Sequence, residues 1–174
     1  MTDTTKPLVN RVTQSALITL DLEQYFVKDE EVVFIDLKDF LFKGLILREA
    51  DFRERVKKTD WSQYKNKYVA LYCSTDAIIP MWAYMVLSAE ITPHAADVIC
   101  SKAEKAADIF LLRALAKLDM EQFKDQRIVI KGCGDRQVPD AAFVQITQQL
   151  TNVARSVMYG EPCSTVPVFK KPIH

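Results

Sequence analysis

The alternation of short strand-like runs with helical segments constrains the fold of this chain more than any other feature. From residue 68 onward the pattern is strand, helix, strand, helix, strand, helix, strand. The predicted strands are 68–72, 97–99, 127–131 and 156–159, and the predicted helices between them are 79–91, 101–118 and 139–154. Because strands joined by helical crossovers run parallel, this order predicts an α/β fold with a mostly parallel sheet that helices cover on both faces.

The residues before position 68 predict additions to this core. Residues 18–22 alternate apolar and polar side chains, and residues 32–35 form a short apolar run, so two extra N-terminal edge strands are expected. Residues 1–10 are polar and are expected to be disordered, and the end of the chain after residue 160 reads as a Gly/Pro-rich tail. No linker composition divides the sequence. We therefore expect residues 1–174 to form a single three-layer domain.

Charge and hydropathy exclude several classes of partner. Lys plus Arg and Asp plus Glu number 23 each, so no long-range field favours nucleic acid or an anionic membrane. No segment resembles a signal peptide. The most apolar stretch, 77–87, contains Pro80 and is shorter than the ~20 residues that cross a bilayer. The sequence predicts a cytoplasmic protein that binds neither nucleic acid nor membranes.

Four cysteines follow the predicted strands, at Cys73, Cys100, Cys133 and Cys163. Cytoplasmic thiols stay reduced, so these residues are better candidates for free thiols, metal ligands or catalytic groups than for disulfides. The carboxyl ends of parallel strands meet at one edge of a sheet, where ligands bind. Cys73, Cys133 and Cys163 have glycine or hydroxyl neighbours and are predicted to share a functional site. Cys100 precedes a helix start and is interpreted as a buried small hydrophobe.

Three thiolates with one oxygen or nitrogen ligand can bind zinc, and cysteine-rich sites also bind iron–sulfur clusters. The chain contains no C-x-x-C motif, and the spacing between its cysteines matches no standard metal motif. The sequence therefore predicts Cys73, Cys133 and Cys163 as metal ligands and leaves the cofactor open between zinc and an iron–sulfur cluster.

Two further patterns bear on the surface and on the origin of the fold. Strand 68–72 and strand 127–131 are each followed by a cysteine, a proline and a helix, at Pro80 and Pro139. Because this order is common in parallel sheets, we interpret it as a recurring βα unit rather than a duplication. An apolar stripe on the first of these helices is interpreted as core, with an exposed partner surface as the alternative. The stripe consists of Met81, Trp82, Met85 and Val86.

Several motifs resemble those of a known family. They are V-N-R-V at 9–12, D-W-S-Q-Y at 60–64, I-K-G-C-G at 130–134 and Y-G-E-P-C-S-T-V-P at 159–167. The chain resembles an uncharacterised bacterial family of unknown function, typical of Bacteroidetes, over nearly its whole length. The resemblance implies a stand-alone cytoplasmic protein and brings no established activity. It also implies a link to iron–sulfur cluster assembly, and the C-G-D at 133–135 is similar to a tripeptide of scaffold proteins in that pathway.

Three hypotheses for the function follow. The first is an accessory protein that handles metal or sulfur through its cysteines. The second is a non-catalytic binding or adaptor module that uses the apolar helix surface to contact a protein partner or to form a homo-oligomer. The third is an enzyme with Cys73 or Cys133 as nucleophile. Its candidate assisting residues are Asp76, Asp135 and His94. The sequence leaves open whether the protein is an enzyme.

Overall fold

The computed structural model describes residues 17–132 and 134–172. The strands are β1 Leu17–Asp21, β2 Val32–Asp36, β3 Tyr68–Tyr72, β4 Asp97–Cys100, β5 Arg127–Lys131, β6 Ser156–Glu161 and β7 Ser164–Lys170. The helices are α1 Glu49–Lys58, α2 Met81–Ile91, α3 Ala103–Ala116 and α4 Asp140–Thr151. Short 3-10 helices span Leu22–Tyr25, Asp29–Glu31, Leu37–Phe40, Trp61–Tyr64 and Met120–Phe123. The disorder expected for residues 1–10 lies outside the described residues.

The described strands form two sheets, in the orders β1-β5-β6-β7 and β2-β3-β4. All neighbouring strands are parallel except β6 and β7, which are antiparallel. The α/β class, the mostly parallel pairing and the N-terminal edge strands are therefore confirmed. The strands after residue 68 are divided between two sheets because β1 and β2 each begin a sheet of their own. Periodicity identifies a strand, but it does not identify the strand with which it pairs.

The chain divides into two compact units. The central unit is formed by residues 26–114 and contains the β2-β3-β4 sheet with α1, α2 and most of α3. The terminal unit combines the residues up to 25 with those from 115 onward and contains the β1-β5-β6-β7 sheet with α4. Each unit thus has its own sheet with a helix following its central strand.

The two units share a βαβ segment whose described residues correspond position by position. Each position of 60–100 has a counterpart 59 positions later, in 119–159. Asp60 accepts a hydrogen bond from the N–H of Ser62 at 3.0 Å, and its counterpart Asp119 accepts one from Glu121 at 3.0 Å. The next turns also agree, since Asn66 and its counterpart Asp125 have left-handed φ angles of 60° and 56°.

The long-range backbone bonds of the two units also correspond. The N–H of Asn66 donates to the carbonyl of His94 at 3.1 Å, and the N–H of Asp125 donates to that of Val153 at 2.9 Å. The same side chains are buried in each helix. The fully buried counterparts are Ala83 with Ala142, Leu87 with Ile146 and Ile91 with Leu150. The shared bonds and core show that one βαβ scaffold is used twice.

The N-terminal strands complete this correspondence. Val32 of β2 pairs with Tyr68, and Leu17 of β1 pairs with Arg127, which is the counterpart of Tyr68. Asp36 is therefore the counterpart of Asp21. The recurrence seen in the sequence thus extends from a βα unit to a βαβ structure with an added N-terminal strand. Pro80 and Pro139 occupy equivalent positions, but the counterpart of Cys73 is Gly132 rather than Cys133.

One strand belongs to the terminal unit alone among the described residues. β7 follows β6 through a tight turn and forms an antiparallel edge of the sheet. The sequence predicts a tail here, because Pro167 argues against a strand. At the edge of a sheet a proline is tolerated, since a missing N–H on the solvent side removes no bond. Near the end of β6, Gly160 has a φ of 120°, and a Cβ there would lie 2.5 Å from the Ser164 carbonyl oxygen, so glycine is required.

Candidate functional site

The strand ends of the central unit bring together a carboxylate and two thiols. Asp36 ends β2, Cys73 follows β3 directly, and Cys100 ends β4. The strands are neighbours in the order β2-β3-β4. Asp36 lies in register with Tyr72, and Cys100 lies in register with Leu71, two positions before Cys73. The three residues therefore lie at the carboxyl ends of neighbouring strands in one parallel sheet.

Asp36 is the buried polar residue of this edge, with 9% of its surface exposed. One carboxylate oxygen accepts hydrogen bonds from the backbone N–H groups of Lys38 at 3.0 Å and Ser74 at 3.1 Å. Burial opposes ionisation, but the hydrogen bonds from Ser74 and Lys38 and the charge of Lys38 outweigh it, and the pKa of Asp36 is lowered. Asp36 thus ties the loop after β3 to the end of β2.

The two thiols of this edge differ in exposure. Cys73 is half-buried, and its sulfur lies 3.3 Å from the hydroxyl oxygen of Thr75. Cys100 is exposed. The interpretation of Cys100 as a buried hydrophobe is therefore wrong. It ends the edge strand of its sheet, where no further strand of the described chain covers it.

A cleft of about 580 Å³ opens beside Cys100. Its walls are mainly apolar and come from β3, α2 and the turn after α2. The lining residues are Leu71, Tyr84, Met85, Ser88, Ala89, Thr92, Pro93 and Cys100. Burial raises the pKa of the Tyr84 phenol, and the nearby thiols of Cys100 and Cys73 and the carboxylate of Asp36 raise it further. The phenol is therefore a neutral hydrogen-bond donor or acceptor within electrostatic range of both thiols.

Sequence reasoning missed Asp36 and Tyr84. A signal for Asp36 is present, because an Asp-Leu pair ends both N-terminal strands, at 21–22 and 36–37. Leu22 and Leu37 are both fully buried, which fixes the preceding aspartates at the strand ends. Tyr84 carries no comparable signal, since an aromatic residue in an apolar helix is most often core.

The corresponding edge of the terminal unit contains an ion-pair network. Lys131 lies 3.3 Å from a carboxylate oxygen of Asp21 and 3.8 Å from one of Glu161. The hydrogen bond and charge of Asp21, followed by the charge of Glu161, raise the pKa of Lys131. Glu23 accepts hydrogen bonds from the backbone N–H of Gly134 and, at 3.5 Å, that of Arg136. At the strand ends of the terminal unit, the charged side chains are therefore bonded to other residues of the same unit.

The cysteines predicted to form one site have different positions. Cys73 belongs to the central unit, and Cys163 is an exposed residue of the turn between β6 and β7 in the terminal unit. Cys133 lies outside the described residues. Within 17–132 and 134–172, no three His, Cys, Asp or Glu side chains are grouped so that they could bind a metal ion. The shared site of Cys73, Cys133 and Cys163 therefore stays a prediction.

His94 does not lie near Cys73. Its carbonyl accepts the N–H of Asn66, just before β3 begins, whereas Cys73 follows the other end of that strand. A strand of five residues spans about 17 Å, which is too far for a proton transfer between the two side chains. The geometry therefore excludes His94 as the base for a Cys73 nucleophile.

The apolar stripe of α2 is only partly core. Met81 and Met85 are 68% and 70% exposed, whereas Trp82 packs edge-on against the buried ring of Phe52 at 5.4 Å. The interpretation of the stripe as core is therefore wrong for the two methionines. Ile78, just before the helix, is 93% exposed. The central unit thus presents an exposed apolar surface at the start of α2.

Comparisons with known proteins place the chain in a family. Among the helices of the described residues, none is long and apolar enough to cross a membrane. No curated protein and no solved structure matches the chain. One family model matches residues 6–171, and its description is protein of unknown function (DUF2480). The match spans nearly the whole chain, which confirms the resemblance to a family of unknown function, and the protein belongs to that family.

Proposed function

We propose that this protein handles a soft metal ion or sulfur through its cysteine thiols, as an accessory protein of the kind that serves iron–sulfur cluster assembly. The observation that carries the proposal is the pairing of thiols at one sheet edge. Cys73 follows β3 directly and Cys100 ends the neighbouring parallel strand β4, in register with Leu71. Thiolates are the protein ligands that zinc, Cu(I) and iron–sulfur clusters prefer.

The central unit alone offers an incomplete ligand set. Asp36 already accepts hydrogen bonds from two backbone N–H groups and lies 3.6 Å from the ammonium of Lys38. Its carboxylate is therefore already bonded to the residues that follow β2 and β3. A tetrahedral zinc site needs four ligands, and two thiols leave positions for water or for groups from a second molecule. Such an open coordination suits transfer of a metal or sulfur better than its permanent storage. The remaining thiols of the sequence are Cys163, in the terminal unit, and Cys133.

The test is the metal and acid-labile sulfide content of the full chain, purified without oxygen and compared with cysteine-to-serine variants. Three variants separate the alternatives: Cys73→Ser with Cys100→Ser, Cys133→Ser with Cys163→Ser, and the triple variant of Cys73, Cys133 and Cys163. Metal or sulfide lost in the first and triple variants but kept in the second identifies the pair Cys73 and Cys100. Loss in the second and triple variants with retention in the first identifies Cys133 and Cys163, and loss in all three identifies a site shared by Cys73, Cys133 and Cys163.

One result would refute the proposal. If the wild-type protein contains no metal or sulfide and binds neither Zn²⁺ nor Fe²⁺ with sulfide on anaerobic reconstitution, the thiols have no such role. Circular dichroism of each variant serves as the control, because serine conserves the volume of the thiol and should leave the fold intact. Binding should weaken as the pH falls, since the thiols must lose protons to bind a metal.

A binding module without chemistry is the second candidate, and the exposed methionines of α2 favour it. Methionine is flexible and polarisable, and it is common at surfaces that adapt to partners. Self-association through Met81 and Met85 would appear in sedimentation velocity as a species larger than the monomer. The double variant Met81→Lys with Met85→Lys should then sediment as a monomer. A wild-type chain that is monomeric at all concentrations would exclude the homo-oligomer.

A further inference from the structure

The cleft beside Cys100 has a counterpart in the terminal unit. That cleft has a volume of about 340 Å³, against about 580 Å³ in the central unit. Four lining positions correspond in the repeat. They are Leu71 with Ile130, Tyr84 with Phe143, Ser88 with Thr147, and Cys100 with Tyr159. Both clefts therefore lie between the central strand, the last parallel strand and the helix that connects them.

One wall of the terminal cleft comes from β7. β7 pairs antiparallel with β6, which is the counterpart of β4, and Val168 of β7 lines the cleft. In the central unit β4 is the last strand of its sheet among the described residues. No described strand takes beside β4 the position that β7 takes beside β6, and the cleft of the central unit is the larger of the two.

Side chains form hydrogen bonds with the backbone of Val98 on the outer side of β4. The N–H of Val98 donates to its neighbour Asp97 at 2.8 Å, and the Val98 carbonyl accepts from the Arg113 guanidinium at 2.9 Å. Arg113 also donates to Asp97 at 2.6 Å. The corresponding residue of the terminal unit, Val157, instead pairs with Phe169 of β7. Asp97 and Arg113 therefore take the bonding positions that β7 takes in the repeat.

We propose that the outer edge of β4 binds an extended peptide segment of a partner protein, antiparallel to β4, in the position that β7 occupies beside β6. One aliphatic side chain of the segment lines the cleft beside Cys100, as Val168 lines the cleft of the terminal unit. The segment has the chemistry of β7: alternating β-branched residues, little charge, and an ability to lie at a sheet edge. The inference stands on the repeat alone and does not depend on metal or sulfur at the thiols.

The energetics favour such an addition. Strand addition at a free edge supplies main-chain hydrogen bonds, and an alternate side chain buried in a pocket supplies specificity. The segment must displace the Arg113 guanidinium from the Val98 carbonyl. The Arg113 side chain is 47% exposed, whereas its ion-pair partner Asp97 is only 12% exposed. At Val98 one hydrogen bond is exchanged for another, and the remaining main-chain bonds of the new strand add to it.

The experiment uses the full-length chain and a fluorescein-labelled synthetic peptide with the sequence of β7, residues 164–170. Fluorescence anisotropy should show saturable binding. Ala89→Trp fills the central cleft from α2 and should weaken binding roughly tenfold, because overpacking a pocket costs about 1–3 kcal/mol. The matched control is Gln148→Trp, at the counterpart position of α4, which should leave binding unchanged.

Arg113→Ala gives the second arm. It frees the carbonyl of Val98 and should tighten binding about fivefold, since one net hydrogen bond contributes roughly 1 kcal/mol. Hydrogen exchange should show new protection of the β4 amides in the complex. Three outcomes would overturn the proposal: no saturable binding to the wild type and Arg113→Ala, equal binding by Ala89→Trp, or a dimer that Ala89→Trp dissociates. The last would identify a second copy of the chain as the occupant.

Discussion

The central and terminal units share a scaffold but differ at their strand ends. In the terminal unit, Lys131 is paired with two carboxylates, and the ring of Phe143 packs edge-on against Tyr159 at 5.6 Å. At the same two positions as these rings the central unit has Tyr84 and Cys100, beside a larger cleft. The difference teaches that the scaffold depends on the buried positions of the repeat, whereas positions beside the clefts can vary. The buried helix positions agree, and the positions of Cys100 and Tyr159 do not.

The largest expected effect tests the shared core. Leu87→Ala and Ile146→Ala each remove a fully buried side chain at equivalent positions of α2 and α4. Each should lower the free energy of unfolding by about 2–5 kcal/mol, because lost burial and the cavity add. Urea unfolding followed by tryptophan fluorescence and circular dichroism measures both. A loss below about 1 kcal/mol at either site would show that the two cores are not equivalent.

A smaller effect is expected at Asp36. Asp36→Ala leaves the N–H groups of Lys38 and Ser74 without their acceptor and should cost about 1–3 kcal/mol at neutral pH. Asp21, the counterpart of Asp36, accepts a hydrogen bond from the N–H of Glu23 at 3.1 Å. Asp21→Ala therefore tests whether the two aspartates stabilise their units in the same way. Equal unfolding midpoints for the wild type and Asp36→Ala would contradict the role of the carboxylate as a tie between β2 and the β3 loop.

The charge of Asp36 also predicts a pH dependence. Its pKa is lowered in the folded chain, so its ionised form stabilises the fold above the unfolded value of about 3.9, and this stabilisation is lost as the pH falls through the folded pKa. Asp36→Asn keeps an acceptor oxygen but cannot ionise. The difference in unfolding free energy between wild type and Asp36→Asn should therefore shrink below about pH 4. If the difference in unfolding free energy stays constant down to about pH 2, the pKa of Asp36 does not contribute to stability in this way.

The repeated left-handed turn gives the next effect. Asn66→Val and Asp125→Val place a β-branched residue at φ angles of 60° and 56°, which should cost about 1–2 kcal/mol each. Asn66→Gly and Asp125→Gly are the matched controls and should be close to neutral, since glycine adopts this φ without strain. If only one of the valine variants is destabilised, the two turns do not share their conformation in solution.

The smallest effect is expected at the exposed helix positions. Met85 and its counterpart Val144 are 70% and 59% exposed, so Met85→Lys and Val144→Lys should each change the free energy of unfolding by less than about 0.5 kcal/mol. Thermal unfolding and sedimentation velocity measure both variants. A change in association state with Met85→Lys alone would sharpen the comparison, because it would assign the binding surface to the central unit. A large loss of stability in either would mean that the residue is buried in an assembly.

Local pattern predicted the elements of this chain well. Strands 68–72 and 127–131 have the predicted bounds, and α2 begins within two residues of its predicted start. Apolar periodicity and the positions of Pro80 and Pro139 were sufficient, because they act on neighbouring residues. The candidate site was predicted in part. Cys73 lies at a sheet edge as expected, but its neighbours Asp36, Tyr84 and Cys100 come from elements distant in sequence.

The sequence by itself determined the α/β class, the parallel strands and the places where helices begin. Only the tertiary structure decided that the strands form two sheets, that residues after 160 add an edge strand, and that Cys100 is exposed. The physical reason is that strand pairing is a choice among distant partners with similar apolar patterns. β1 and β2 have nearly the same pattern, and their pairing with β5 and β3 sets which strand edges and thiols face solvent.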